Sequence, residues 1–205
     1  MVKIEINDKK YSYPESLDEI TFEQYCKVFF KLPKLEDDDA DEVTVFRHER
    51  EVESTVVSRL LGEADDFCLT LPLGIYAALN ESPKFLFDVD KCLKNAKASI
   101  KVDGIKYYIP SMEEMSFRQY IDADVVMQDE EDELQYIRLL SVLLTRKDDE
   151  GKWIPYRGES EGMFDKLRKL PCSEALGLVY HFFKKSHALE VLSQAYSQQK
   201  VATRP

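Results

Sequence analysis

Residues 100–125 read IKVDGIKYYIPSMEEMSFRQYIDADV, and nearly the same text stands earlier, at residues 3–26, as KIEINDKKYSYPESLDEITFEQYC. Ile4, Ile6, Lys10, Tyr11 and Pro14 answer to Ile100, Val102, Lys106, Tyr107 and Pro110. After the proline the second copy is one residue shorter, and Thr21-Phe22, Gln24 and Tyr25 answer to Ser116-Phe117, Gln119 and Tyr120. Such self-similarity is the first thing to settle in a sequence. It predicts two related units, residues 1–97 and 98–205, packed about a pseudo-twofold axis because duplicated units usually bury similar faces together.

Each part of the repeated text has a structural cause. Asp103-Gly104 between two short apolar-alternating runs signals a two-residue type I′ hairpin. Asn7-Asp8 occupies the same place in the first copy, and Asn and Asp accept positive φ less readily than Gly, so a looser first hairpin is expected. Pro14 and Pro110 end the second strands, since proline cannot donate to a ladder. Thr21-x-x-Gln24 and Ser116-x-x-Gln119 both fit a capping box, with Ile20 and Tyr25, or Met115 and Tyr120, flanking it as a hydrophobic staple. A pair of binding glutamines is the functional alternative. A capped helix accounts for every repeated position.

The rest of the chain reads mainly as helix. Phe22, Tyr25, Cys26 and Phe29 share one face of a helix ending near Pro33. A second runs from about Val45 to a Gly62 cap. Leu71-Pro72 opens a short third, ended by Ser82-Pro83, and 84–94 is a short apolar segment. In the second unit Phe117, Tyr120, Ile121 and Val125 mark the core face of the capped helix. Leu134, Ile137, Leu140, Ser141 and Leu144 mark an amphipathic helix with Arg146 and Lys147 at its negative end. Met163, Phe164 and Leu167 give a short helix. A longer one follows Leu170-Pro171, with Ser173 as its cap and Leu176, Val179, Phe182 and Phe183 buried. Leu189 to Leu192 suggest a last helix before a polar tail. The fold expected is α+β and mainly helical, each unit a β-hairpin followed by a small helical bundle.

Composition excludes several function classes. A formal charge of −11 and a pI near 4.9 argue against nucleic-acid binding and against adhesion to anionic lipid, both of which draw on Lys and Arg. The opening MVKIEINDKK is no secretion signal, and no apolar run approaches a membrane span. Cys26, Cys68, Cys92 and Cys172 form no C-x-x-C pair, and most sit among apolar neighbours as core thiols do. A protein of the cytoplasm, or of a particle assembled there, is the consistent expectation.

Chemistry is hard to find. His181 and His187 lie about 240° apart on a straight helix and would not share a metal. His48 stands in a charged stretch. No H-E-x-x-H or phosphate loop occurs. The acidic runs 36–42 and Asp129 to Glu133 offer oxygens to Mg²⁺ or Ca²⁺, but the first lacks the glycine and final glutamate of a calcium loop. Cys172 near a helix start would be an activated thiol or a core one. No catalytic residue, cofactor or metal is therefore assigned. Residues 147–162, KDDEGKWIPYRGESEG, are an insertion holding the only tryptophan. Its Trp153, Ile154, Tyr156 and Arg157 are the types that anchor protein interfaces. Such a loop either folds onto its own core or inserts into a partner. The edges of the hairpins are a second candidate contact.

The run from Pro14 to Tyr25, repeated from Pro110 to Tyr120, resembles the opening of small proteins of tailed bacteriophages, and Leu170-Pro171-Cys172-Ser173 leading into Leu178 to Phe183 looks like the same set. The resemblance implies a tail or baseplate assembly factor, including tail assembly chaperones, or a minor virion component. It implies no catalytic residue, and it implies other phage tail or virion proteins, or further copies of the chain, as partners in the host cytoplasm or the virion. Two other readings use the acidity: an inhibitor of a host protein that mimics nucleic acid, and a metal-dependent enzyme or regulator.

Overall fold

The computed structural model describes residues 1–35, 40–80, 85–86, 96–158 and 161–184. Within them the chain is α+β and mainly helical, with two separate antiparallel hairpins and seven helices. In order these are β1 (Val2–Ile6), β2 (Lys9–Tyr13), α1 (Phe22–Phe29), α2 (Glu42–Leu61), α3 (Leu73–Asn80), β3 (Ser99–Val102), β4 (Ile105–Tyr108), α4 (Phe117–Gln128), α5 (Gln135–Leu143), α6 (Glu161–Leu167) and α7 (172–184). The segment 84–94, apart from Phe85 and Leu86, and the helix expected at Leu189 to Leu192 lie outside the described residues, as do residues 36–39 of the first acidic run.

Both hairpins close as expected, and the first is built the same way as the second. Ile6 pairs with Lys9 across Asn7-Asp8, whose φ angles are 51° and 64°, and Val102 pairs with Ile105 across Asp103-Gly104, at 49° and 80°. Asn and Asp can enter the left-handed region because their short polar side chains bond locally, so the Asn-Asp turn takes the type I′ form without glycine.

Helix ends follow their caps. Thr21 Oγ1 accepts from the Gln24 N–H at 3.2 Å while Gln24 Oε1 accepts from the Thr21 N–H at 2.8 Å, a complete capping box. Asp41 caps α2 by accepting from the Thr44 N–H at 2.7 Å. At the other end Gly62, at φ 74°, turns its N–H back to Arg59 and Ser58 carbonyls. Arg59 then joins three elements: its guanidinium binds Asp65 through two 2.8 Å bonds and donates to the carbonyls of Val28 and Phe30 at the end of α1. A fixed fork of donors suits this task in a way that lysine would not. Helix α7 begins at 172, so Ser173 lies inside its first turn rather than at its cap, and its hydroxyl bonds Asp18.

The largest core is shared by both halves: Ile20, Phe22, Cys26, Val28 and Val56 pack with Ile100, Val102, Ile137, Leu140, Leu167, Cys172 and Leu178. The crossing point is a backbone exchange between the start of α1 and the start of α7. Phe22 N–H donates to Leu170 O at 2.9 Å, Cys172 N–H to Ile20 O at 2.9 Å, and Glu23 N–H to Arg168 O at 3.1 Å. Above it Arg168 grips Glu23 with bonds of 2.8 and 2.7 Å.

That grip has a pH signature. The hydrogen bond from Arg168, above all, holds the Glu23 carboxyl below the ordinary glutamate range against the opposing effect of burial, with a lesser contribution from Lys27. A carboxylate whose pKa is depressed by folding contributes stability that is complete above its unfolded value and is lost as pH falls through its folded value. Glu23→Gln should therefore lower the melting temperature at pH 7, and the gap to the wild type should close as pH drops from about 5 downward. A gap that widens with acid would contradict the assignment.

A pseudo-twofold arrangement requires the reciprocal exchange, between the starts of α4 and α3. It is not made: Phe117 is 79% exposed and Leu73 is 80% exposed. The reason lies in α4, whose core face is the opposite of the one expected.

Candidate interaction surface

Helices α4 and α5 form an antiparallel pair held by two crossed glutamines. Gln119, in the first turn of α4, donates from Nε2 to Val142 O at 2.8 Å and Leu143 O at 3.1 Å, at the end of α5. Gln135, at the start of α5, donates to Val126 O at 3.0 Å, Met127 O at 3.1 Å and Asp129 O at 3.1 Å, at the end of α4. Each helix thus begins with the amide that satisfies the other's terminal carbonyls, groups that no intrahelical donor can reach. The second capping box is consequently only half formed: Ser116 Oγ accepts from the Gln119 N–H at 3.2 Å, but the glutamine side chain is turned inward. Asp132, in the acidic stretch between the helices, accepts from the Leu134 N–H and the Arg138 side chain, so that stretch is a closing turn.

Turning Gln119 inward decides the rest of α4. Ala123 is buried with it, against Leu139, Val142 and Leu143 of α5, and Met115, Val126 and Met127 pack at the margin. Residues at 119, 123 and 126–127 lie on one side of a helix, so 117, 121 and 125 must lie on the other. Phe117, Ile121 and Val125 are exposed, with Tyr120 beside them. Helix α1, which carries the similar text, shows the contrary arrangement, since Phe22 and Cys26 are buried there. Three aligned apolar side chains beside a tyrosine on one open face are a contact surface in composition. The outer residues of α7 are also less buried than expected, Phe183 being exposed and edge-on to Tyr136.

The insertion folds back on its own chain. Lys147 pairs with Trp153 and Ile154 N–H donates to Arg146 O at 3.0 Å, closing a turn over Asp148 to Gly151. The Trp153 ring meets Tyr108 edge-on at 5.9 Å, and the Lys147 ammonium sits 4.3 Å from its centroid. Tyr156 reaches under α4, its hydroxyl 2.9 Å from Asp122 Oδ2. Trp153, Ile154 and Tyr156 are half-buried by these contacts, while Arg157 is exposed. The loop therefore buttresses α4 from one side.

Reactive groups are engaged elsewhere. An open cleft of about 440 Å³ between β2, α1 and α2 is lined by Lys27, Arg59, Glu63 and Glu133. Its charges are committed to ion pairs: Lys27 lies 3.0 Å from Glu23, Arg59 holds Asp65, and Glu63 takes Lys9 and the Tyr11 hydroxyl. Burial pushes the Cys26 thiol up to about 12, and Cys172 is fully buried in the shared core, so both are packing residues. Among the described residues no group of three His, Cys, Asp or Glu side chains could hold a metal ion, and no helix is long and apolar enough to cross a membrane. The chain matches no known protein-family model, no curated protein and no solved structure.

Proposed function

We propose that this chain is a non-enzymatic protein that works by protein–protein contact, in assembly of the tail or baseplate of a tailed bacteriophage or as a component of the virion. The observation that carries the contact reading is the outward stripe of Phe117, Ile121 and Val125 on a helix whose other face is pinned by Gln119. A rigid apolar stripe costs little conformational entropy to dock, since its backbone and neighbours are already ordered. The phage setting is supported by the resemblance of the Pro14–Tyr25 and Pro110–Tyr120 runs. The acidic surface suits a protein that must stay soluble until it docks.

The test is capture from infected cells. Tagged protein should retain phage tail or baseplate proteins, and Phe117→Asp should release them while leaving the fold unchanged. Capture of a host enzyme instead, insensitive to Phe117→Asp, would favour the inhibitor reading and overturn this one.

A further inference from the structure

The open face of α4 has a counterpart on the same molecule. Leu71-Pro72-Leu73 leads into α3 as Leu170-Pro171-Cys172 leads into α7, and the local geometry agrees. Leu71 N–H bonds Cys68 O at 3.3 Å where Leu170 N–H bonds Leu167 O at 3.1 Å. Ile75 and Tyr76 N–H groups bond Pro72 O at 2.9 and 3.1 Å, where those of Glu174 and Ala175 bond Pro171 O at 3.1 and 3.3 Å. Yet Cys172, Leu176 and Gly177 are buried, whereas Leu73, Ala77 and Ala78 are exposed. Beside Leu73 runs a groove of about 480 Å³ lined by Val2, Ile4, Ile75 and Ala78.

We infer that the start of α4 on one molecule docks onto the start of α3 on the next, repeating between copies the exchange that joins α1 to α7 within one. The backbone groups required are free. Among the described residues neither the N–H groups of Phe117 and Leu73 nor the carbonyls of Leu71 and Met115 have a hydrogen-bond partner. In the internal exchange their counterparts are Phe22 N–H bonded to Leu170 O, and Cys172 N–H bonded to Ile20 O. Phe117 would take the place of Phe22, covering Leu73 and the groove. The charges are arranged differently, the exposed Leu69 standing where Arg168 stands in the internal exchange. Glu23 meets Arg168, itself 3.7 Å from Asp165, in the internal exchange. Arg118 stands in the place of Glu23, and the exposed Asp66 in that of Asp165. The interface is heterologous, so copies add head to tail and either close into a ring or continue as a filament.

This assignment rests on the contact-face reading of α4 and names its occupant. Sedimentation of the whole chain tests it with Phe117→Asp and Leu73→Asp, both at exposed positions. Wild-type mass should rise with concentration up to about 100 µM. Each variant alone should stay monomeric, because it lacks one half of the contact. An equimolar mixture should form a 1:1 dimer that grows no further, because the two intact halves meet once. A wild type that remains monomeric, a mixture that remains monomeric, or a Phe117→Asp variant that still assembles would overturn it. If assembly fails but Phe117→Asp still releases captured tail proteins, the contact face stands and its occupant is another protein.

Discussion

Replacing Phe22 by alanine should destabilise the protein by about 3–5 kcal/mol, while the same change at Phe117 should fall within about 0.5 kcal/mol of zero. The two residues occupy matching places, each the first residue of its helix after a hydroxyl cap, and a reader of the sequence would give them one fate. The difference is the neighbourhood. Phe22 is fully buried in the core shared by both halves, where its removal leaves a cavity between α1, α5 and α7 that close-packed neighbours fill only partly. Phe117 has solvent over most of its ring. Stabilities of domains this size are about 5–15 kcal/mol, so Phe22→Ala approaches the point at which the fold fails. Chemical denaturation of the two variants measures both numbers, and equal losses would contradict the placement of α4.

The second large effect is expected at a glutamine. Gln119→Met keeps the shape but strips two nearly buried carbonyls, Val142 O and Leu143 O, of their donor. Leaving buried polar groups unsatisfied costs more than a hydrogen bond gains, and about 2–3 kcal/mol is expected here. Gln24→Met, at the matching position, removes an exposed cap contact and should cost less than about 1 kcal/mol. The ranking matters more than the sizes. If Gln24 proved the costlier of the two, the crossed amides would not be what holds α4 against α5.

These pairs also mark what could and could not be read from the sequence. The hairpin turns, the Gly62 stop, the Thr21 and Ser116 caps and the mainly helical class are local matters, decided by φ preference and by donors within a few residues of their acceptors. They were legible at Asn7-Asp8, Asp103-Gly104 and Thr21-x-x-Gln24. The face that α4 buries is not local. Its stripe at 117, 121 and 125 is as apolar as the strip at 123, 126 and 127, so periodicity alone favoured the bulkier one. The structure buries the smaller side, where Ala123 allows close approach and Gln119 reaches the carbonyls ending α5. The same text therefore encodes a reciprocal cap at Gln24 and a long-range one at Gln119. Of the insertion, the sequence offered either its own core or a partner. The pairing of Lys147 with Trp153 and the reach of Tyr156 to Asp122 place it against its own chain.

One contrast underlies every contact assigned to α4: Phe22 is buried and Phe117 is bare. Hydroxyl-radical labelling of dilute protein, read residue by residue by mass spectrometry, measures it most directly. Phe117 should be oxidised rapidly, with Tyr120 close behind, and Phe22 should be protected until the protein unfolds. Protection of Phe117 equal to that of Phe22 in the dilute monomer would contradict the outward face of α4 and every contact assigned to it.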